Sequence, residues 1–338
     1  MATYRAFEVT GNRNFRLVER ELVDPAPNQV RLRVEYSGLC GTDVFIVEGQ
    51  RADPERPTVP GHEIVGVIDA VGPGVNTWRV GDRVGVGFLA GHCWECDFCR
   101  RGDFVNCSNQ LQTGTSFDGG YAEVAYARTS GLVRIPDGLS AADAAPLLCA
   151  GLTTYTAVRQ VVAYPGALVA VQGIGGLGHL ALQYAHSLAY RVVAIARGKE
   201  KEALARELGA DHYIDSTEGG IAGALQELGG AAAVIATAAS PSSMSPLLAG
   251  VAPRGKLIVL GAGPDPIEVS TTELLFGTRT IQGVLTGTPI ENEDNLAFSA
   301  ARGVHPLVEK FAFEDAEKAY AHMLSGRARF RAVLDLAH

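Results

Sequence analysis

The chain has 338 residues, of which 47% are hydrophobic and 20% charged. This length exceeds what one core usually organises, so we expect two domains, and the composition excludes a disordered chain. Its 29 Lys and Arg against 37 Asp and Glu leave a net charge of −8, which attracts neither nucleic-acid phosphates nor anionic lipid. We therefore expect no nucleic-acid or membrane partner. The N-terminus lacks the basic start and apolar run of a signal peptide, which predicts a cytoplasmic protein.

The first part of the chain, to about residue 145, consists of short β-rich runs separated by Gly and Pro. The clearest runs are 29–38, 63–72 and 82–91. Such a pattern predicts an all-β region, either a barrel or a sandwich.

From about residue 146 the pattern changes to apolar strands that alternate with helical segments. The predicted strands are 167–173, 191–196, 232–238 and 255–262, and the helices between them include 177–189 and 199–210. This alternation predicts an α/β fold with a doubly wound parallel sheet. Beyond about residue 285 we expect helices at 291–303 and 314–326 and a last strand at 331–336.

A glycine-rich turn lies directly after the strand 167–173 and directly before a helix. Its residues are Gly173, Gly175, Gly176, Leu177 and Gly178. Gly173 permits the tight turn, Gly175 lets the backbone approach a pyrophosphate, and Gly178 allows close packing of the helix on the strand. Glycines also accumulate in tight turns that bind nothing, but strand, turn and helix together predict a dinucleotide site.

The end of the next strand indicates which dinucleotide binds. A carboxylate there would bond the adenosine ribose and repel a 2′-phosphate, but this chain has Ala196. Arg197 and Lys199 follow and could each bond a phosphate. We expect NADP(H) to be preferred over NAD(H); the alternative is that both cations belong to a solvated helix start.

Four of the six cysteines form a compact cluster with the spacing C-x2-C-x2-C-x7-C. They are Cys93, Cys96, Cys99 and Cys107. Four thiolates close a tetrahedral shell around Zn²⁺ and leave no open position, which is typical of a structural site. An iron–sulfur cluster is the alternative, although no electron-transfer partner is visible, and redox use of a Cys pair is another.

The two remaining cysteines could join a histidine in an open site. Cys40, His62 and Cys149 would form the Cys2His set of a catalytic zinc with a fourth position for water or substrate. Spacing alone does not decide this, because a lone buried Cys is often a small apolar filler and a lone His is often structural.

Five motifs together resemble the zinc-dependent medium-chain alcohol dehydrogenases, and they cover essentially the whole chain. In addition to the glycine turn and the four-cysteine lobe, they are Cys40-Gly41-Thr42-Asp43, Gly61-His62-Glu63-x2-Gly66-x5-Gly72-x2-Val75, and APLLCAGLTTY at 145–155. The resemblance implies a GroES-like catalytic domain built from 1–145 and 288–338, with the structural-zinc lobe at 91–108. It also implies a Rossmann domain at 146–287.

The resemblance also implies roles near the catalytic metal. It makes Cys40, His62 and Cys149 the ligands of a catalytic zinc. Glu63 matches a carboxylate near the metal, and Asp43 matches the acid that orients the ligand histidine. The alternative is that the two acids are exposed or pack in the barrel.

Further roles follow from the resemblance at single positions. Thr42 matches the hydroxyl that bonds the reacting oxygen, and Thr153 falls where the family contacts the nicotinamide. Arg331 resembles an arginine that contacts the cofactor pyrophosphate, with an exposed strand arginine as the alternative.

One position departs from the pattern. Many family members carry a relay histidine five residues after the first zinc cysteine, and this chain has Phe45 there. The proton must therefore leave by another route. We expect Phe45 to line an apolar substrate pocket, with Phe88 and Leu89 as further candidates.

The implied activity is interconversion of an alcohol with an aldehyde or ketone by hydride transfer, with two zinc ions per chain and NADP(H). One alternative is an NADPH-dependent reductase of C=C or C=N bonds. Another is a non-catalytic NADP-binding protein. The expected partner is a small-molecule substrate, and the segment 280–287 could pair edge strands in a homodimer or homotetramer.

Overall fold

The computed structural model describes residues 2–50 and 55–337. Residues 1, 51–54 and 338 of the predicted GroES-like domain lie outside the described residues. The chain divides into two compact units, one of Met1–Leu152 with Gly287–His338 and the other of Thr153–Thr286. Across the described ranges, no helix has the length and hydrophobicity needed to cross a membrane.

The first unit is mainly β. Its strands are β1 (Thr3–Glu8), β2 (Arg16–Glu21), β3 (Gln29–Gly38), β4 (Glu63–Val71), β5 (Arg83–Val86), β6 (Val124–Arg128), β7 (Leu132–Arg134), β14 (Val308–Ala312) and β15 (Arg331–Asp335). Its helices are α1 (Val44–Val47), α2 (Asp97–Arg100), α3 (Ala141–Pro146), α10 (Pro289–Arg302) and α11 (Ala316–Leu324). The predictions of strands at 29–38, 63–72 and 331–336 and of the two late helices are confirmed.

A seven-stranded sheet organises this unit, with strand order β14-β15-β3-β4-β5-β7 and with β6 paired to β3. β15 runs antiparallel to β3, so the last strand of the chain completes a sheet begun near its start. One hydrophobic cluster, which includes Leu32, Ile64 and Leu334, fills the core. The C-terminal segment that carries β15 therefore contributes to the hydrophobic core of the first unit.

The second unit alternates strands and helices. Its strands are β8 (Leu168–Gln172), β9 (Arg191–Ala196), β10 (His212–Asp215), β11 (Ala231–Ala236), β12 (Val251–Val259) and β13 (Thr280–Gly283). The helices are α4 (Leu152–Arg159), which begins at the last residue of the first unit, α5 (Gly178–Ser187), α6 (Glu202–Glu207), α7 (Ile221–Glu227), α8 (Pro241–Met244) and α9 (Thr271–Gly277).

The six strands form one parallel sheet in the order β10-β9-β8-β11-β12-β13. This order confirms the predicted doubly wound sheet. The direction of winding reverses between β8 and β11, and ligands of such sheets bind at the carboxyl ends of the strands beside this point. All five residues of β8 are buried, as expected for a central strand covered by helices on both faces.

Candidate active site

Four side chains from three parts of the first unit meet in one place. The ligand atoms of Cys40, His62, Glu63 and Cys149 all lie within 4.8 Å of one another. Cys40 follows the end of β3 and His62 precedes the start of β4, and the antiparallel register pairs Gly38 with Glu63. Sheet pairing therefore brings together residues that are separated by more than twenty positions in sequence.

Cys149 comes from a turn of π-helix at Leu147–Gly151, between α3 and α4. A π turn frees backbone carbonyls from the regular helical bonds. Two amides of α10 bond carbonyls there, Asn292 to Leu148 O at 3.0 Å and Asn295 to Leu147 O at 3.0 Å. The late helix of the first unit thus holds the turn that presents Cys149.

The geometry of this cluster fits a tetrahedral metal ion. The Sγ atoms of Cys40 and Cys149 lie 3.8 Å apart, and two thiolates bound at about 2.3 Å to one zinc would be about 3.8 Å apart. Nε2 of His62 and Oε2 of Glu63 are buried and have no hydrogen-bond partner among the described residues. Because unpartnered buried polar atoms are rare, these two atoms point to a missing ligand. The residues present therefore fit a zinc ion.

Asp43 orients the histidine of the cluster. Its Oδ1 lies 3.0 Å from Nδ1 of His62, and its Oδ2 accepts a bond from the backbone N–H of Cys40 at 3.0 Å. Both side chains are almost fully buried, so the alternative that Asp43 is exposed is wrong. Since Nδ1 faces the carboxylate, Nε2 is left to face the cluster.

Close packing of the two thiols, His62 and Asp43 shifts the pKa values of the ligand side chains. The hydrogen bond between the two thiols lowers the pKa of Cys40 well below its usual value and raises that of Cys149 well above it. Burial alone would lower the pKa of His62, but the negative Asp43 and Cys40 raise it well above the usual value. A metal ion bound here would supply positive charge to these side chains in place of their protons.

Glu63 and Arg331 form a buried ion pair beside the cluster. Nη2 of Arg331 donates to Oε1 of Glu63 and, at 2.9 Å, to the carbonyl of Leu39. Burial raises the pKa of Glu63 to about 8, although Arg331 acts in the opposite direction. The alternative that Arg331 is an exposed strand arginine is wrong, because its side chain on β15 is only 7% exposed. The contact with a cofactor pyrophosphate stays a prediction.

The other residues predicted for this site lie at different depths. Thr42 lies in a 3-10 turn at Gly41–Asp43, with its Oγ1 3.7 Å from Sγ of Cys40. Phe45 is half-buried on α1. Phe88 is buried and packs edge-on against His62, with the ring centroids 5.2 Å apart. Leu89 is also buried.

The four-cysteine lobe forms a second compact set of thiols. Sγ of Cys93 lies 3.9 Å from that of Cys99 and 3.6 Å from that of Cys107, and Cys96 and Cys107 are 4.0 Å apart. Backbone N–H groups of Cys99 and Ser108 lower the pKa of Cys96 to about 6. These separations fit a tetrahedron of thiolates with a metal at its centre.

The glycine turn of the second unit lies at the carboxyl end of β8. Gly173 has φ +90°, and a Cβ on Gly178 would lie 1.8 Å from the carbonyl oxygen of Gly173. Around Gly175, in contrast, a Cβ would meet no described atom within 4 Å. Gly173 and Gly178 are therefore required by the backbone itself, whereas Gly175 leaves open space for a ligand. Gly176 and Leu177 are half-buried beside it.

The residues predicted to select the cofactor surround the end of β9. Ala196 is its last residue, Arg197 is exposed, and Lys199 forms an exposed ion pair with Glu218 at 3.4 Å. Elsewhere in this unit, Oγ1 of Thr153 donates to the carbonyl of Leu285 at 3.4 Å.

Two residues near this end of the sheet were not predicted. Asp215 ends β10 and accepts a bond from the N–H of Gly198 at 2.8 Å. Lys201 Nζ donates to the carbonyl of Ile174 in the glycine turn at 2.7 Å. The carboxyl ends of parallel strands share one edge, so a strand prediction at 212–215 would have indicated Asp215. No sequence signal indicated Lys201.

Comparisons with known proteins agree with this arrangement. Two family models match, Alcohol dehydrogenase GroES-like domain over residues 26–137 and Zinc-binding dehydrogenase over residues 176–301. The alcohol dehydrogenase notN of an Aspergillus species is 44% identical over 312 residues, which are 92% of this chain and 91% of that protein.

Solved structures also match over nearly the full length. A cinnamyl alcohol dehydrogenase of Sorghum bicolor has a TM-score of 0.89 and 29% identity, with 99% of this chain and 98% of that chain covered. The CAD from Helicobacter pylori complexed with NADP(H) has a TM-score of 0.86 and 25% identity, with 99% and 98% covered. The predicted combination of a GroES-like and a Rossmann domain is confirmed. The chain therefore belongs to the zinc-type medium-chain alcohol dehydrogenases, oxidoreductases that act on CH–OH groups with zinc and a nicotinamide cofactor.

Proposed function

We propose that this protein is an NADP(H)-preferring alcohol dehydrogenase that acts mainly as a carbonyl reductase, with one catalytic and one structural zinc per chain. One observation carries the proposal. The ligand atoms of Cys40, His62 and Cys149 converge within 4.8 Å, and the hydroxyl of Thr42 lies beside them. Three ligands and a neighbouring hydroxyl are what a metal-assisted reaction at a carbonyl or alcohol oxygen requires.

Each residue of this cluster has a distinct task. When bound, a zinc ion would polarise the substrate oxygen as a Lewis acid, and a nicotinamide would exchange a hydride with the carbonyl carbon. Cys40, His62 and Cys149 would hold the ion, and Asp43 fixes the ring of His62 through Nδ1. Thr42 Oγ1 bonds the substrate oxygen, giving it a proton during carbonyl reduction and taking one during alcohol oxidation.

The side chain at position 45 shapes the substrate site and the proton path. Phe45 can neither accept nor donate a proton. The proton that Thr42 gives up is therefore replaced by a route that does not pass through residue 45. The aromatic ring instead offers an apolar wall, which suits a substrate with a hydrophobic group beside its carbonyl.

The preference for NADP(H) is supported by the charges at the end of β9. Ala196 places no carboxylate there, and Arg197 and Lys199 are exposed cations within the following turn. Glu218 pairs with Lys199 only as an exposed ion pair, which a 2′-phosphate can replace at small cost. The H. pylori structure in complex with NADP(H) supports the same cofactor class. Since the NADP pool is usually kept reduced, we expect carbonyl reduction to be the direction in the cell.

The four-cysteine lobe is proposed to bind the second, structural zinc. Its ligands are Cys93, Cys96, Cys99 and Cys107. Four thiolates leave no position for substrate, so this ion stabilises the loop and takes no part in the reaction.

A second candidate is an NADPH-dependent reductase of activated C=C or C=N bonds. Phe45 is the observation that favours it, because such a reduction does not need the usual proton relay at that position. This candidate shares its fold and cofactor with the proposed carbonyl reductase, so only the choice of substrate distinguishes the two activities.

We also propose a homodimer or homotetramer. In the described part of the chain β13 pairs with β12 alone, which leaves one edge of the parallel sheet unpaired. Leu285, just beyond β13, is 57% exposed. Pairing of this edge with its copy across a twofold axis would satisfy the backbone groups and cover apolar surface.

The experiment that tests the proposed function measures zinc content and substrate choice on one preparation. We expect two zinc ions per chain and NADPH-dependent reduction of simple aldehydes and ketones, followed at 340 nm. Conjugated enals and imines should be poorer substrates. Faster reduction of the enal double bond than of the carbonyl panel would favour the second candidate. A preparation that is fully active with no zinc bound at Cys40, His62 and Cys149 would contradict the catalytic zinc.

A further inference from the structure

A tyrosine that no motif indicated touches the group that orients the histidine ligand. Tyr121 is fully buried, and its hydroxyl donates to Oδ2 of Asp43 at 2.8 Å. The other oxygen of Asp43 lies 3.0 Å from Nδ1 of His62. A continuous chain of hydrogen bonds therefore runs from Tyr121 through Asp43 to His62.

The backbone around Tyr121 is fastened to the segment that precedes His62. Gly119 N donates to Val59 O at 2.7 Å, Gly120 N to Gly61 O at 3.0 Å, and Tyr121 N to Pro60 O at 3.0 Å. Three consecutive residues thus bond three positions directly before the ligand. These bonds fix the position of residues 59–61, and therefore of the backbone that leads into His62, relative to residues 119–121.

The ring of Tyr121 adds a steric constraint at the same place. Gly61 has φ +97°, and a Cβ there would lie 2.4 Å from the tyrosine ring. The ring thus covers the residue adjacent to His62. This packing depends on the ring, whereas the bond to Asp43 depends on the hydroxyl, so the two contributions can be separated by substitution.

The hydroxyl completes the set of donors around Asp43. Oδ2 accepts from both Tyr121 and the N–H of Cys40, which leaves Oδ1 for His62. Two donors on one oxygen fix the plane of the carboxylate. Burial, and then the negative charge of Asp43, raise the pKa of Tyr121 well above its usual value, so the phenol stays protonated and remains a donor.

We propose that Tyr121 is a positioning residue for the catalytic metal: by holding Asp43, its hydroxyl keeps His62 as the Nδ1–H tautomer with Nε2 directed at the ion. The inference rests on the proposed catalytic zinc site. Partners beyond the ligands typically alter metal affinity by about 10–100-fold, and a group one step further out should act at the lower end of that range.

The test compares zinc release from the holoenzyme to an excess of a chromogenic chelator. Tyr121→Phe removes the hydroxyl and keeps the ring. Cys149→Ser identifies which kinetic phase belongs to the catalytic site, and the four-cysteine lobe provides the other phase as an internal reference. Tyr320→Phe is the matched control, because Tyr320 is also buried and its hydroxyl donates to a carboxylate, Glu48, at 3.0 Å.

We expect Tyr121→Phe to release the catalytic zinc about tenfold faster and to leave the other phase unchanged. Tyr320→Phe should change neither. In the background Asp43→Asn, the Tyr121→Phe change should have a much smaller effect, because the two act through one chain of bonds. Equal release rates for Tyr121→Phe and the unmodified protein, or full additivity with Asp43→Asn, would overturn the inference.

A second pair of variants keeps the test decisive if the missing oxygen prevents folding. 4-Fluorophenylalanine at position 121 fills the volume without donating, and 4-aminophenylalanine restores a donor. Only the amino variant should recover slow release. Failure of both to differ would contradict the role of the hydrogen bond, whereas absence of any phase that Cys149→Ser removes would instead contradict the proposed catalytic site.

Discussion

Gly38 at the end of β3 pairs with Glu63 at the start of β4. This register brings Cys40, two residues beyond Gly38, to His62, the residue before Glu63. A shift of one residue would turn the side chains of β4 to the opposite face and separate the two ligands. The candidate metal site therefore depends on sheet pairing as much as on the ligands themselves.

Replacing Cys149 tests the open site. We expect Cys149→Ala to lose one of two zinc ions and at least about 100-fold in kcat/KM, because several kcal/mol of oxygen polarisation are lost. The protein should stay folded, since the four-cysteine lobe is intact. Zinc content, circular dichroism and steady-state rates measure the three quantities. Full activity in the variant would contradict the assignment.

Replacing Cys99 tests the closed site with the same chemical change. Cys99→Ala should lose the other zinc and lower Tm by roughly 5 °C or more, because metal binding contributes to folding there. Material that remains folded should keep its kcat. The comparison with Cys149→Ala is the control, and a large loss of kcat without loss of Tm would show that this lobe is not merely structural.

Replacing Thr42 tests the proton donor. Thr42→Val keeps the shape and removes the hydroxyl, and we expect kcat to fall by about 100-fold or more with little change in the zinc content. Thr42→Ser should retain most of the rate. A Thr42→Val enzyme with unchanged kcat would move the proton transfer to another group.

Replacing residues at the end of β9 tests cofactor choice. The unmodified enzyme should favour NADPH over NADH at least tenfold in kcat/KM. Arg197→Ala should reduce that ratio by about 10–100-fold, the value of one charge-assisted bond to phosphate. Ala196→Asp should act in the same direction by repelling the phosphate.

Arg191→Ala supplies the matched control for cofactor choice. Arg191 is an exposed arginine at the opposite end of the same strand, where it bonds the carbonyl of Leu228. Its replacement should leave the NADPH to NADH ratio unchanged. An unmodified enzyme that used NADH as well as NADPH would contradict the assignment of Arg197 and Lys199.

The fold could be predicted to different extents in the two units. Periodicity placed β8, β9 and α5 within one or two residues, because buried parallel strands are continuous apolar runs. It did not indicate β1, β6 or β7, which are short and partly exposed. That the last strand joins β3 depends on long-range pairing, which no local pattern encodes.

The site could be predicted only through the combination of motifs. Cys40, His62 and Cys149 are too far apart in sequence to form a spacing pattern, so the family resemblance was required to connect them. Tyr121 was not predicted, because it contacts Asp43 and none of the metal-ligating residue types that the motifs indicate. Asp215 was not predicted, because β10 is short and half-buried and its sequence shows no clear strand pattern.

A crystal structure of the holoenzyme, with anomalous data collected across the zinc absorption edge, tests the catalytic zinc site most directly. We expect one peak bonded to Sγ of Cys40, Nε2 of His62 and Sγ of Cys149, and a second peak within the four-cysteine lobe. An enzyme that reduces carbonyl substrates in solution but shows no zinc peak at Cys40, His62 and Cys149 would contradict this expectation.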